Sequence, residues 1–219
     1  MTTFLQPPFW ATNWSRATAA HAISVLVTPP VLEPLELDEA KLRAGLDWTP
    51  GDPRDVQMMG FIAAARSQVE RRCGLSLLTQ TRDVYLDVPP RGRVLTLPAG
   101  SLPLQSVTSI KSTDTAGGIN TLAASNYVVD VASGRIGLSL AGAWPSDLRP
   151  FQPFVIRIVC GFVSVAALTA AEPLLVHAVG QLVAHYATLG RDLASIDPTT
   201  EIPMGFEDTI AGYLPVTLA

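Results

Sequence analysis

The spacing of apolar residues changes from helical to alternating near Thr79 and back again after Cys160, so the sequence predicts a β-rich block between two helical segments. Ahead of the block, Ala22 to Val27 reads as a short strand ended by Pro29-Pro30, and Glu33-Pro34 keeps the chain extended. A helix follows from about Asp38 to Leu46, with Asp38 and Glu39 in the first turn, where the macrodipole favours acids. The next helix is marked at both ends: Asp52 caps it, Pro53 takes its first position, and Gly74 ends it. Its apolar stripe reads as Val56, Met59, Ile62, Ala63, Val69 and Cys73, with Arg54, Arg66, Glu70 and Arg71 on the wet side.

Inside the block, Val84, Leu86 and Val88 alternate with Asp83, Tyr85 and Asp87, and Leu95 and Leu97 share a face. Tyr127, Val129 and Val131 alternate with Val128 and Asp130, and Ser133-Gly134 turns the chain into Ile136, Leu138 and Leu140 as a hairpin. A last strand, Phe154 to Cys160, puts Phe154, Ile156, Ile158 and Cys160 on one face and Arg157 on the other. About five to seven antiparallel strands result. After the block, Pro173 opens a helix whose stripe is Leu175, Ala178, Val179, Leu182, Val183 and Tyr186, closed by Gly190. The expected architecture is α+β: a helical bundle built from N- and C-terminal helices, with an antiparallel β-rich insertion. Residues 1–30 form an N-terminal arm and short strand, 31–78 and 166–219 a discontinuous helical domain with a C-terminal tail, and 79–165 the insertion.

Composition narrows the function. With 219 residues, 48% hydrophobic and 16% charged, the chain has material for a real core. The longest uncharged apolar run, Ile158 to Ala171, is too short to cross a bilayer, and the start lacks the basic and apolar regions of a signal peptide, so a soluble protein is expected. Cys73 and Cys160 lie far apart and form no Cys-x-x-Cys pair, which leaves zinc and redox motifs without support and predicts two buried thiols. The body before Arg191 carries 14 charges of each sign, and the net charge of -4 belongs to the tail, where Asp192, Asp197, Glu201, Glu207 and Asp208 outnumber Arg191. Tight binding to phosphate backbones needs clustered Lys and Arg, and that pattern is missing.

Candidate chemistry is equally thin. His177 and His185 stand about 12 Å apart along a helix axis, too far to share a metal. His185, Asp192 and Ser195 have the residue types of a triad, but neither a Gly-x-Ser-x-Gly elbow nor an oxyanion element accompanies them. Glu172 and Asp147 read as a helix-start and a turn residue, not an acid/base pair. Gly117-Gly118 after Asp114 is a turn, since no Lys-Ser/Thr pair or helix start follows it.

Several short stretches form an ordered series that begins with Val27-Thr28-Pro29-Pro30, Glu33-Pro34-Leu35, Ala65 through Val69-Glu70, and Cys73-Gly74. Gln80-Thr81, Leu97-Pro98, Pro103-Leu104-Gln105-Ser106-Val107 and Tyr127-Val128-Val129-Asp130 with Gly134-Arg135-Ile136 continue the series. Trp144-Pro145, Cys160-Gly161-Phe162, Tyr186 with Arg191, and Ile202-Pro203-Met204-Gly205-Phe206 complete it, over roughly residues 23 to 215. In this order they resemble the head-tail connector (adaptor) proteins of long-tailed bacteriophages and phage-like gene transfer agents.

The resemblance implies a structural virion protein, made in the bacterial cytoplasm and placed at the head-tail interface. Such proteins form a ring beneath the portal, a dodecamer by the portal's symmetry, which joins the DNA-filled head to the neck and tail. The implied partners are the portal protein, neighbouring copies of the chain, and the next neck or tail-completion protein. DNA passes through without sequence-specific binding, and no membrane, cofactor, metal or catalytic residue is called for. Interfaces favour aromatic and large apolar side chains, so the candidate interface residues are Phe4, Phe9, Trp10, Trp14, Phe206, Ile210, Tyr213 and Leu214, which lie near the termini without an evident core partner. The alternatives are another neck or tail-completion protein of the same particle, and a small hydrolase or ligand-binding domain.

Overall fold

A computed structural model of the protein describes residues 22–90, 92–191 and 204–214. It is an α+β chain that divides into two compact units, Met1–Val31 with Gly74–Gly161 and Leu32–Cys73 with Phe162–Ala219.

The first unit is β-rich. Its larger sheet holds β1 (Ala22–Thr28), β2 (Gln80–Leu86), β4 (Leu104–Thr113), β5 (Ile119–Thr121) and β8 (Phe154–Cys160) in the order β1-β2-β8-β4-β5, with every neighbouring pair antiparallel. The smaller sheet holds β3 (Val94–Thr96), β6 (Tyr127–Asp130) and β7 (Arg135–Leu138) in the order β3-β7-β6. The central strand β8 alternates as its sequence predicts: Phe154, Ile156, Ile158 and Cys160 are buried and Arg157 points the other way. Those four join Val84, Leu86, Ile110, Leu95 and Ile136 in one core that draws on both sheets. On the opposite face Asp83 sits directly across from Arg157 and accepts two hydrogen bonds from its guanidinium, both 2.8 Å, which is why an acid at 5% exposure is tolerated there.

The turns follow from side chains. Asp114 accepts from the backbone N–H groups of Ala116 and Gly118 at 3.0 and 2.7 Å, and Gly117 takes φ 86°, so Gly117-Gly118 joins β4 to β5. Asp130 accepts from the Ser133 N–H and hydroxyl and from Arg135, and Gly134 takes φ 62°, which closes the β6–β7 hairpin. Three positions expected to extend the alternation, Val88, Val131 and Leu140, lie beyond the strands and are exposed. At Leu140 the cause is a turn: the Gly142 N–H donates to the Ser139 carbonyl before another strand pair can form. Residues 22–28 are a strand of this sheet, with Ser24 paired to Val84, so they belong to the β unit and not to a separate arm.

The second unit holds α1 (Leu37–Arg43), α2 (Arg54–Cys73), α3 (Val165–Ala171), α4 (Pro173–Arg191) and α5 (Met204–Ile210), followed by a 3-10 turn at Ala211–Tyr213. The helix α4 packs against the other four. Its stripe of Leu175, Ala178, Val179, Leu182 and Val183 is fully buried, and Tyr186 meets Phe61 of α2 with ring centroids 6.3 Å apart. The helix does not stop at Gly190, which stays helical; a glycine permits a C-cap without compelling one. The short α3 was unforeseen, because its Val-Ala-Ala-Leu-Thr-Ala-Ala sequence reads as a featureless apolar run; Ser164 caps it by accepting from the Ala167 N–H at 3.1 Å.

The inner face of α2 differs from the one its hydrophobicity suggests. Asp55, Met58, Ile62, Ala65, Arg66, Val69 and Cys73 face inward, whereas Val56 and Met59 are 70% and 50% exposed. Two charged residues hold inner positions because each is paired: Asp55 with Lys41 at 2.7 Å, and Arg66 with Glu33 and Glu70 at 2.8 and 3.0 Å. Cys73 and Cys160 are both buried and form no disulfide with each other. Among the described residues no single helix is long and apolar enough to cross a membrane.

Candidate interaction surfaces

The interface candidates near the C-terminus have a different job in the folded chain. Phe206 and Ile210 are completely buried where α5 packs on α4, and Tyr213 is 9% exposed. The Tyr213 hydroxyl donates to Glu172 at 2.6 Å, and burial, with that carboxylate, pushes its phenol well above the ordinary range. Glu207 pairs with Arg72 of α2 at 3.1 Å. These contacts fasten residues 204–214 to their own helical unit, so Phe206, Ile210 and Tyr213 serve as core; only Leu214, 36% exposed, stays at the surface. The apolar residues at helical spacing had a core partner that sequence could not reveal, namely α4. Phe4, Phe9, Trp10 and Trp14 lie outside the described residues, as do Asp192 and Ser195 of the triad considered above.

The remaining chemistry-bearing side chains are spread apart or used structurally. His177 is exposed on α4 and His185 half-buried. Glu172 holds Tyr213, and Asp147 accepts from the Thr115 hydroxyl at 2.7 Å. Among the described residues no three His, Cys, Asp or Glu side chains gather as metal ligands.

A connected polar cluster surrounds Trp48. The Asp55 carboxylate accepts from the Trp48 indole at 2.7 Å and the Gly51 N–H at 2.8 Å and pairs with Lys41, and these contacts, Lys41 first, hold it below the usual carboxylate range. The Lys41 ammonium lies 5.4 Å and the Arg54 guanidinium 4.5 Å from the Trp48 ring centre. Arg54 in turn grips Asp52 with two 2.8 Å hydrogen bonds, which depress that acid to about 2. Beside this knot, Leu46, Trp48, Arg54, Gln57, Met58, Phe61 and Ala187 line an open pocket of about 100 Å³. It is far smaller than a small-molecule site and has room for about one side chain.

Apolar surface is plentiful elsewhere. The outer side of α2 shows Val56, Met59, Gly60 and Ala64, without a charge among them. In the β unit, Ile23, Val25, Leu26 and Val27 of β1 are between 43% and 52% exposed, and Val31 just after it is 94% exposed. Val94 and Val128 of the smaller sheet, both placed opposite Gly137, are 55% and 64% exposed. Contiguous exposed apolar positions of this kind mark surfaces that become covered. Sequence reasoning missed them because it read Val56 and Met59 as the buried stripe of α2, and in the strands alternation does not say which face stays bare.

No protein-family model and no curated protein sequence matches the chain. Its fold is similar to that of solved chains, among them the following. In the neck of an empty gene transfer agent (GTA) particle, computed with C6 symmetry, a chain 24% identical superposes with a TM-score of 0.68, covering 90% of this chain and 97% of that one. A chain in the virion of a native GTA particle gives 22% identity, the same coverage and a TM-score of 0.68. In the neck of a native GTA particle computed with C12 symmetry, the values are 25%, 89%, 97% and 0.61.

Proposed function

We propose that this chain is a structural virion protein of a phage-like particle of the gene transfer agent type, one subunit of a ring in its neck. The carrying observation is that nine-tenths of the chain matches almost the whole length of chains from GTA necks and virions, some solved in sixfold and twelvefold symmetric assemblies. In the finer form of the reading, twelve copies sit beneath the portal, the helical unit forms a bundle, and the next neck or tail-completion protein docks on the opposite rim. The protein performs no covalent chemistry in this role. Exposed apolar positions on β1, on α2 and on the smaller sheet supply the contacts such a subunit needs.

The experiment is to purify particles from a producing strain with a tagged chain, image them, and mix the purified chain with its portal protein. Tag density at the neck and rings on the portal are expected. Particles without the chain, or assembled heads and tails joined normally in its absence, would remove the reading.

The segment that reaches the portal begins after Tyr213, since Phe206, Ile210 and Tyr213 are committed to the chain's own core. Removing residues 215–219 is expected to leave the melting temperature unchanged and to weaken portal binding; full binding by the truncated chain would dispose of this assignment. The acidic tail repels DNA phosphates and lets duplex slide past. Of its described members, Asp208 is exposed and Glu207 ion-paired. Tight, salt-sensitive binding of the purified chain to duplex DNA is the result that contradicts a sliding surface.

A further inference from the structure

The larger sheet ends in two edges that are alike in chemistry. At one end β1, among the described residues, pairs only with β2, runs for seven residues without a charge, and exposes Ile23, Val25 and Leu26. At the other end β5 covers only Lys111, Ser112 and Thr113 of β4, and the Leu122 N–H adds one bond to the Ile110 carbonyl. That leaves Leu104 to Ser109 with no strand on the outer side among the described residues; this stretch too is uncharged, and Ser106 and Thr108 are exposed. Monomeric proteins protect such edges with inward charges, prolines or bulges, and of these only bulges fall inside the open stretches. Here the prolines fall just outside, at Pro29 after β1 and Pro103 before β4, so they bound the open stretches without blocking them.

We propose that the sheet continues from copy to copy, the open edge of β1 in one protomer pairing with the open edge of β4 in the next. This rests on the reading of the chain as a ring subunit. A ring of identical chains needs a heterologous contact, made by two different but matching patches on every copy, and two uncharged edges at opposite ends of one sheet meet that requirement. A second copy therefore fits the edge better than an unrelated strand, which would fill β1 and leave β4 open. The two bulges of β4 against β8 bend it, so the junction spans a few residues and not the full strand. Backbone hydrogen bonds supply the attraction, and Val25 and Leu26 bring apolar contact to it.

The test uses the full chain as monomer and as rings assembled with its portal. Hydrogen exchange is expected to slow in residues 22–28 and 104–109 on assembly. Val25→Lys and Thr108→Lys, at exposed positions, are expected to melt like the parent and each to cut ring yield about tenfold or more. An equimolar mixture of the two variants is expected to give dimers and no rings, since each pair retains one intact junction. Rings at parental yield from either variant would overturn the proposal, as would protection of β1 without β4, which would assign the edge to the chain before Ala22 or to another protein. If the parent chain forms no ring with its portal, the ring reading itself fails; rings with unprotected edges refute the junction alone.

Discussion

Single side chains in this protein are tuned by what surrounds them, and several leave measurable marks. Burial, helped by the Glu207 carboxylate, pushes the Cys73 thiol up to about 12 from 9.0. The folded chain thus keeps a proton that the unfolded chain releases, so stability is unaffected below pH 9 and falls as pH rises from 9 toward 12. Thermal melting between pH 7 and 11 is expected to show a shallower alkaline decline in Cys73→Ala than in the parent; parallel slopes would refute the assignment. Tyr213→Phe removes the 2.6 Å hydrogen bond to Glu172 and is expected to cost about 1 kcal/mol in urea unfolding. Two glycines make a contrast. At Gly161, φ is 99° and an added Cβ would stand 2.1 Å from the Leu78 carbonyl oxygen, so Gly161→Ala is expected to destabilise by about 3 kcal/mol or more. At Gly180 the obstacle is the end of the Arg43 side chain, which can swing aside, and Gly180→Ala is expected to be far milder in the same melts.

At the scale of elements, α4 and α2 behave oppositely. Of the α4 stripe predicted from spacing, Leu175, Ala178, Val179, Leu182 and Val183 are buried and Tyr186 is half-buried, and Leu182→Asp places a charge where exposure is zero, so loss of the cooperative transition in circular dichroism is expected. On α2 the spacing misleads, because Val56 and Met59 are outside while Asp55 and Arg66 are inside. The double change Val56→Lys with Met59→Lys is therefore expected to shift stability by less than about 0.5 kcal/mol, and a large loss would return those residues to the core. Hydrophobicity alone cannot see that Lys41, Glu33 and Glu70 arrive to neutralise the buried charges, since two of the three lie on other segments. Strand β8 was fully legible, because its alternation and its ion pair both sit on a single ladder with Asp83. The helix α3 was invisible, its seven residues carrying no period that separates a helix from a buried run.

For the whole molecule, the interface was the least legible part. The terminal apolar residues Phe206, Ile210 and Tyr213 looked unpartnered because their own spacing does not say that α5 folds back on α4, and folding turned them into core. Val56 and Met59 of α2 looked like core for the converse reason: periodicity reports that a face is apolar and is silent on whether the chain itself covers it. The truncation at residue 214 and the edge variants on β1 and β4 follow from that reassignment, and neither could have been designed from the sequence. By itself the sequence determined the α+β class, the antiparallel block between helical segments and the stripe of α4, all of which depend on local period and on turn residues that act within a few positions. Tertiary structure alone decided the join of β1 to the sheet, the charges admitted to the interior and the apolar faces left bare, because each depends on which distant segments come within a few ångströms of one another.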